Sequence, residues 1–420
     1  MTATHSARQS SEPRPRLAVV LGLLGGVNPL AVDAYLPTLP TIAAEFGTDL
    51  QHVSMSLSAY FIGFAGGMLV GAPISDRRGR RPTALIGLLL YMLASLLIAS
   101  CSNIEQLLSL RVLQALGAGA ATVNIGAVVR DLYDERNSAR MFSMVMMVVL
   151  GAPLIAPAIG AVILAYLNWQ AVFIFLAIYG AMTTGLVLRF FPETITQKEP
   201  LTPVALVKDL GSSLINVLGR PSAVAIALSG SLASSCLFIF ITDSPFLYIE
   251  YFGMSTRVFP VVFGLNVVTL AGFHWLNLRL LKRYPPRAIM PVGFALLMSI
   301  TTATAVYTAV AEAKLAVMVP AIMLTIGVQG LIQGNATAAY MAHFQHRTGI
   351  AAAISSSLQF TMGAIMGVSL NVFHDGSPRT IATALVISAW LAMVFGTIGL
   401  RLRARAEARD LAVASAPAKP

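Results

Sequence analysis

The sequence predicts an all-α polytopic membrane protein with twelve transmembrane helices in two pseudo-symmetric six-helix halves. Its composition, the spacing of its apolar segments and the placement of its cations predict this class. Of 420 residues, 56% are hydrophobic and only 11% are charged, whereas soluble globular domains carry about 25% charged residues. A soluble fold has no reason to suppress charge to this extent, so soluble classes are excluded.

Apolar segments of spanning length, about 20 residues, recur twelve times. They fall at 17–40, 54–74, 83–102, 105–129, 141–166, 169–191, 222–249, 258–279, 288–310, 314–340, 349–373 and 380–400. The polar connection at 192–220 divides them six and six. The predicted organisation is an N-terminal tail (1–16), a six-helix bundle (17–191), a linker (192–220), a second six-helix bundle (221–401) and a C-terminal tail (402–420).

The cations predict the orientation. If the N-terminus is cytoplasmic, 24 of the 28 Lys and Arg residues lie in cytoplasmic segments, and only Arg257, Lys314 and Arg379 lie outside. This asymmetry predicts that both termini are cytoplasmic. The net charge of +10 therefore reflects membrane topology, and no nucleic-acid partner is expected.

The sequences of the two halves are weakly similar. Glu45-Phe46-Gly47 matches Tyr251-Phe252-Gly253, and the same offset aligns the basic loops 76–81 and 282–287. Such internal symmetry is typical of transporter folds built from repeats. Cys101 and Cys236 stand singly in apolar surroundings, so neither a disulfide nor a metal site is expected.

Asp33 is a carboxylate inside the first span. A charged side chain at membrane depth costs about 2.5–3.5 kcal/mol on insertion scales and is a functional candidate by default. Pro29, Pro37 and Pro40 loosen the helix around it, which is tolerable where neighbouring helices or a cavity satisfy the freed backbone. The alternative is a helix-end Asp that acts as a cap at the membrane interface.

Arg111, six residues into the fourth span, is the one cation that belongs neither to the cytoplasmic segments nor to the outer loops. At 1.5 Å per residue, it and Asp33 fall at similar depth, so we expect the two to face each other across a cavity. A neighbouring cation favours the charged carboxylate and burial disfavours it, so a proton on Asp33 would compete with substrate. The alternative is a structural Arg111 that bonds backbone carbonyls, and Gln114 suits either role.

Several motifs carry a family resemblance. Residues 71–82 resemble the cytoplasmic signature loop of the major facilitator superfamily, and 110–119 resemble its fourth-helix motif for proton-coupled drug exporters. Residues 151–161 resemble the fifth-helix antiporter motif. Residues 32–40 are most similar to the first-helix motif of the bicyclomycin-resistance/CflA family. The segments 130–133, 244–246 and 334–336 also resemble that family, so the resemblance extends from about residue 17 to residue 400.

The resemblance implies a twelve-helix drug:proton antiporter that works by alternating access, with Asp33 and Arg111 in proton coupling. The candidate cytoplasmic gating loop contains Asp76, Arg77, Gly79, Arg80 and Arg81. The candidate hinge of the fifth helix contains Gly151, Pro153, Pro157 and Gly160, for which a passive kink is the alternative.

This chain departs from the family at a few positions. Ala72, Ala156 and Ala161 replace usual glycines but keep small side chains, so close helix packing should survive. Asp243 stands where a small residue is common. It is either interfacial and inert or a second acidic site that faces the cavity.

Polar and aromatic side chains on several spans are candidates for the substrate cavity, with helix packing as the alternative. They are Tyr35, Tyr60, Gln114, Phe238, Phe246, Asn266, Gln329, Asn335 and Gln359, with Gln333 beside them.

We therefore expect a monomeric, multi-pass protein of the bacterial inner membrane that exports drugs in exchange for protons and is not an enzyme. No cofactor is expected, because the proton gradient supplies the energy and no GxxxxGK[ST] nucleotide loop is present. The alternatives are a proton-coupled exporter of a natural metabolite, such as an amino acid or a purine, and a non-transporting sensor or channel.

Overall fold

The computed structural model describes residues 12–196, 199–200, 202–344 and 348–414 as a set of helices joined by turns. The helices are α1 (Pro15–Asp33), α2 (Leu39–Phe46), α3 (Leu50–Arg78), α4 (Arg80–Ile98), α5 (Ile104–Thr122), α6 (Asn124–Leu132), α7 (Glu135–Tyr166), α8 (Trp169–Phe190), α9 (Pro203–Leu218), α10 (Pro221–Pro245), α11 (Phe259–Leu280), α12 (Pro286–Val310), α13 (Leu315–Met341), α14 (Thr348–Val372) and α15 (Pro378–Ala414). A 3₁₀ turn (Leu36–Thr38) joins α1 to α2, and a π-helical turn (Phe246–Tyr251) extends α10.

Some residues used in the sequence predictions lie outside the described residues. They are residues 1–11 and 415–420 of the predicted tails, and Lys198 and Arg347 of the cation count.

Twelve helical segments in the described part of the chain are long and apolar enough to cross a membrane. Three of them are composite: Pro15–Phe46 joins α1 and α2, Ile104–Leu132 joins α5 and α6, and Pro221–Tyr251 joins α10 to its π-helical turn. This architecture confirms the predicted fold class. Both described chain ends and the α3–α4 loop lie at one end of the bundle, which we name the tail end. The opposite end, where α2 ends and α3 begins, is the far end.

The helices begin where the sequence provides capping side chains. Asp49, Asn103, Asp134, Asn168 and Thr202 each accept a hydrogen bond from the backbone N–H three residues later. Such caps satisfy amide groups that have no partner inside the helix. The helix boundaries are therefore encoded locally, even where the apolar segments are almost continuous.

The two six-helix halves meet along two helix pairs. The α3 helix packs against α14, and α7 packs against α11. Between the first pair, Ser357 Oγ donates to the carbonyl oxygen of Ala65 over 2.9 Å. Between the second pair, Leu154 approaches Gly264. These contacts define the interface across which one half would move relative to the other.

The predicted polar linker contains a helix, α9, which the apolar pattern did not indicate. Its Asp209 Oδ2 accepts from Arg77 Nε over 2.7 Å, so the linker is held against the α3–α4 loop. The last helix, α15, continues to Ala414, beyond the predicted limit of the second bundle at residue 401.

Candidate proton-coupling and substrate site

The first span is interrupted at Asp33. The α1 helix ends at this residue, and the next regular helix begins at Leu39. Pro37 has no N–H to donate to the carbonyl oxygen four residues earlier, so one α-helical hydrogen bond is missing where the helix is interrupted. The predicted loosening of the helix is therefore present as a break, with the carboxylate at its edge.

Asp33 is buried, with 3% of its surface exposed. Among the described residues it forms neither a hydrogen bond nor an ion pair, so it does not act as a helix cap. Burial of an unpaired carboxylate charge costs several kcal/mol even after the protein relaxes. The charge state of Asp33 therefore depends strongly on whatever else enters the site.

Arg111 is completely buried, yet it does not pair with Asp33. Its Nη1 donates to the carbonyl oxygen of Ala31 over 3.1 Å and to Gln114 Oε1 over 2.7 Å. The expected pairing with Asp33 is not observed, and the guanidinium binds a backbone carbonyl near the broken end of α1 instead. A cation at a helix C-terminus is also favoured by the helix dipole.

Aromatic rings surround the guanidinium of Arg111. Its Cζ lies 4.4 Å from the ring centroid of Tyr60, 4.6 Å from that of Tyr35 and 5.8 Å from that of Phe173. These distances permit cation–π attraction, which gains strength away from water. Its Nε and Nη2 have no hydrogen-bond partner in the described part of the chain. The guanidinium therefore has N–H groups available for a further acceptor.

Gln114, on α5, connects this polar cluster to α4. While its Oε1 accepts from Arg111, its Nε2 donates to Ser95 Oγ over 2.8 Å. On the other side, the hydroxyl groups of Tyr35 and Ser56 lie 2.9 Å apart. Three of the predicted cavity residues, Tyr35, Tyr60 and Gln114, thus surround or contact Arg111.

Four phenylalanines form an aromatic cluster where the two halves meet. Phe61 and Phe64 come from α3, Phe238 from α10 and Phe360 from α14. Ring centroids lie 4.7 Å apart for Phe61 and Phe238, 4.4 Å for Phe64 and Phe360, and 5.0 Å for Phe238 and Phe360. Of the four, only Phe238 was predicted from the sequence, because the others are common residues in apolar spans. The cluster provides an apolar, adaptable surface between the halves.

The polar candidates of the second half mainly bond other helices. Gln329 Nε2 donates to the carbonyl oxygen of Ala233 over 2.8 Å, and Asn335 Nδ2 donates to Asn277 Oδ1 over 2.8 Å. Asn266 donates to its own helix. Gln333 bonds Gly230 and Gln329. Gln359 is half-buried. Helix packing therefore accounts for the contacts of Gln329, Gln333 and Asn335.

The α3–α4 loop binds several segments at the tail end. Arg80 contacts Asp76 and Ser75, and its Nε lies 3.2 Å from Asp131 Oδ2. The backbone N–H groups of Arg80 and Arg81 donate to Glu193 over 3.0 and 3.3 Å. The predicted gating residues are thus joined to α6 and to the start of the linker.

Gly79 ends α3 with a φ of +113°, a region that favours glycine. A Cβ there would also overlap the Glu193 carboxylate. The sequence prediction included neither Glu193 nor Asp131 in this network. Asp131 lies in the motif at 130–133, whereas Glu193 carries no sequence signal.

The candidate hinge lies in an uninterrupted helix, since α7 passes through Pro153 and Pro157 without a break. A Cβ at Gly160 would overlap the carbonyl oxygen of Ala34, whereas a Cβ at Gly151 would meet nothing within 4 Å. Gly160 therefore permits close approach of α7 to the break beside Asp33.

Asp243 is buried, with 3% of its side chain exposed, and its Oδ1 lies 3.5 Å from His374 Nε2. The side chain is therefore enclosed by protein, and its role as a second acidic site stays a prediction. Phe246 packs edge-on against the His374 ring at a centroid distance of 4.3 Å, so it belongs to the far end. His374 was not predicted, because it follows the eleventh span in a short polar loop.

Comparison with known proteins identifies the family. The family model described as Major Facilitator Superfamily matches residues 21–368. The chain belongs to the major facilitator superfamily. It is therefore a multi-pass membrane transporter, and the resemblance in its motifs is confirmed.

Curated relatives of similar length support this membership. The chain is 29% identical to "Uncharacterized MFS-type transporter YdgK" of Bacillus subtilis over 85% of this chain and 89% of that protein. It is 27% identical to "Bicyclomycin resistance protein homolog" of Haemophilus influenzae, over 83% and 87% of the two chains. It is 29% identical to "Multidrug resistance protein MdtL" of Salmonella heidelberg, over 81% and 86%.

Solved structures show the same fold. A D-xylose-proton symporter matches with a TM-score of 0.70 at 15% identity, over 92% of this chain and 96% of that chain. The peptide transporter POT in complex with sulfate matches with a TM-score of 0.69 at 16% identity, over 96% and 98%.

Proposed function

We propose that this transporter exports small, fairly apolar drugs, antibiotics among them, in exchange for protons. The observation that carries the proposal is that Asp33 is buried at the break in the first span and has no ionic partner among the described residues. Protonation of this carboxylate removes a costly buried charge. A group in this position can therefore link the protonation state of the protein to the conformation of the surrounding helices.

The cluster around Arg111 supports the same role. Its guanidinium is bound at the broken end of α1, yet Nε and Nη2 have no partner among the described residues. A deprotonated Asp33 would find an ionic partner there if the break rearranged. We infer that Asp33 and Arg111 are apart in the present conformation and come together in another state of the transport cycle.

The aromatic cluster of Phe61, Phe64, Phe238 and Phe360 supports an apolar substrate. These rings belong to both halves, so a drug bound among them would contact both at once. Aromatic side chains in a largely apolar pocket, with a few polar groups, are typical of small-molecule sites. The names of two relatives, a bicyclomycin resistance homologue and a multidrug resistance protein, agree with this substrate class.

The proposed mechanism is alternating access in a bacterial inner membrane, with the tail end in the cytoplasm as the cation distribution predicts. The network of Asp76, Arg80, Asp131 and Glu193 joins α3, α4, α6 and the start of the linker, and we expect it to rearrange when the tail end opens. The proton gradient supplies the energy, and one chain suffices because the proposed site lies within it.

A resistance screen tests the substrate class. A bacterial strain that lacks its own drug pumps would express the chain or its Asp33→Asn variant at equal abundance. Chloramphenicol-like, bicyclomycin-like, sulfonamide and cationic compounds would be compared. We expect resistance to at least one apolar compound from the wild type and none from the variant. If the wild type gave no drug resistance but protected cells against a toxic amino acid or purine analogue, the proposal of drug export would be wrong and metabolite export would take its place.

A further inference from the structure

Asp243 and His374 form a buried ionisable pair at the far end, remote in sequence from Asp33. Asp243 Oδ1 and His374 Nε2 lie 3.5 Å apart, and each side chain has only 3% of its surface exposed. Asp243 Oδ2 is buried without a hydrogen-bond partner among the described residues. A buried carboxylate inside a membrane span is expensive and marks a proton or substrate pathway, so Asp243 and its histidine neighbour need an explanation.

The hydrogen bonds of His374 indicate where its proton lies. Its Nδ1 is 3.0 Å from the backbone nitrogen of Gly376, which can only donate. The amide nitrogen of Gln51 lies 3.4 Å from the same atom. In the neutral ring one nitrogen accepts and the other carries the proton. The proton of neutral His374 is therefore on Nε2, the nitrogen that faces Asp243.

The electrostatic surroundings favour uptake of another proton. Burial of the His374 ring opposes its charged form. The negative charges of Asp243, Asp375 and Glu250 have the larger, opposite effect, so the pKa of His374 is raised above the usual histidine value. Asp49, at the start of α3, is also within electrostatic reach. Because Asp243 and His374 face each other at 3.5 Å, the added proton belongs to the pair and not to one residue.

Two further charged groups near this site are occupied elsewhere. His52 is mostly exposed, and its Nδ1 lies 2.8 Å from Asp49 Oδ1. Arg379, in the first turn of α15, donates from Nε to the carbonyl oxygen of Thr308 over 3.0 Å. Neither neutralises Asp243.

The pair lies where the two halves touch at the far end. Gln51 belongs to α3 of the first half, whereas His374 follows α14 of the second. Further into the bundle on α3, Ser58 packs near Gly367, which also neighbours Thr242, the residue before Asp243. Separation of the halves at this end would remove Gln51 from the ring and open the pair to water.

We propose that Asp243 and His374 form a second proton-binding site, closed in the present conformation and reached from the far end when the halves separate there. The proposal rests on proton-coupled export, in which the far end faces the outside. A proton taken up at this pair would enter from the side with the higher proton activity. If the pair releases this proton towards the tail end after the far end closes, each export cycle returns one proton more than Asp33 carries alone.

Transport stoichiometry tests this site. In proteoliposomes, the steady-state ratio of a neutral drug across the membrane is measured against the imposed proton-motive force, and the slope of its logarithm gives protons per drug. We expect the double variant Asp243→Asn/His374→Gln to lower the slope by about one proton while still transporting uphill. The His52→Gln variant is the matched control and should leave the slope unchanged. An unchanged slope in the double variant, or loss of all uphill transport from a folded protein, would overturn the proposal.

A spectroscopic experiment separates this inference from the proposed function. In purified, isotopically labelled protein, the His374 resonance is assigned by its absence from His374→Gln and titrated by NMR. We expect Asp243→Asn to lower the pKa of His374, because the favourable carboxylate is lost while burial remains. A titration that does not change would overturn the pair even if drug export were proton-driven. The expected decrease in the pKa of His374 would support the pair even if the drug assay failed for another reason.

Discussion

Arg111 donates a hydrogen bond to the carbonyl oxygen of Ala31 over 3.1 Å, two residues before Asp33 along the same helix. The guanidinium thus binds the backbone at the end of α1, and the nearby carboxylate is left without an ionic partner in the described part of the chain. A buried charge pair that forms in one state and separates in another would give the helix break two stable arrangements. This relationship is the physical basis of the proposed proton coupling.

Substitution of Arg111 should distinguish charge from geometry. In Arg111→Ala, the carbonyl of Ala31 and Gln114 Oε1 lose a buried donor, which costs about 1–3 kcal/mol per unsatisfied group, and transport should fall to background. Arg111→Lys keeps the charge but not the planar fork or its ring contacts, so partial transport should remain. Drug resistance and uphill transport at equal protein abundance measure both. Normal transport by the Ala variant would remove Arg111 from the mechanism.

Two glycines of α7 offer a matched pair. Gly160→Ala places a methyl group against the carbonyl oxygen of Ala34, and overpacking of this kind costs about 1–3 kcal/mol. We expect lower thermal stability and impaired transport. Gly151→Ala adds the same methyl group where no atom lies within 4 Å, so it should be well tolerated. Equal effects of the two substitutions would show that close approach at Gly160 is unimportant.

The packing of the linker helix α9 against the rest of the protein should depend on Arg77. This side chain pairs with Glu199 at 2.8 Å and with Asp209 at 2.7 Å. In Arg77→Ala, α9 should detach more often, and trypsin should cleave after the exposed Lys208 several-fold faster. Arg78→Ala removes a neighbouring exposed cation that has no ion pair among the described residues. If cleavage were accelerated equally in both variants, the effect would come from the loss of positive charge and not from the ion pairs of Arg77.

Stability should depend on pH through His374. Its pKa is raised in the folded protein, so its contribution to stability is complete below the ordinary histidine value of about 6.5. That contribution is lost as the pH rises through the higher, folded value. The difference in midpoint temperature between wild type and His374→Gln should therefore be largest in acid and shrink in alkali. A difference that stays constant would mean that His374 contributes packing alone.

The sequence was sufficient for the twelve spans, because the bilayer demands apolar segments of fixed length and leaves few alternatives. It also placed Asp33 and Arg111 inside spans, where charged residues are rare, but their role in proton coupling stays a prediction. It did not predict that Arg111 binds Ala31, because that contact depends on where the helix breaks in three dimensions. Nor did it predict His374 or Glu193. Their partners lie 131 and 112 to 114 residues away in sequence, and neither residue belongs to a recognisable pattern.

The central claim is that Asp33 couples protons to export. Asp33→Asn removes the titratable group but keeps the size of the side chain. The purified variant and the wild type would be reconstituted in proteoliposomes at equal density, and drug accumulation against its gradient would be measured under an imposed proton gradient. We predict uphill transport by the wild type and only downhill equilibration by the variant. Undiminished uphill transport by Asp33→Asn would contradict the account.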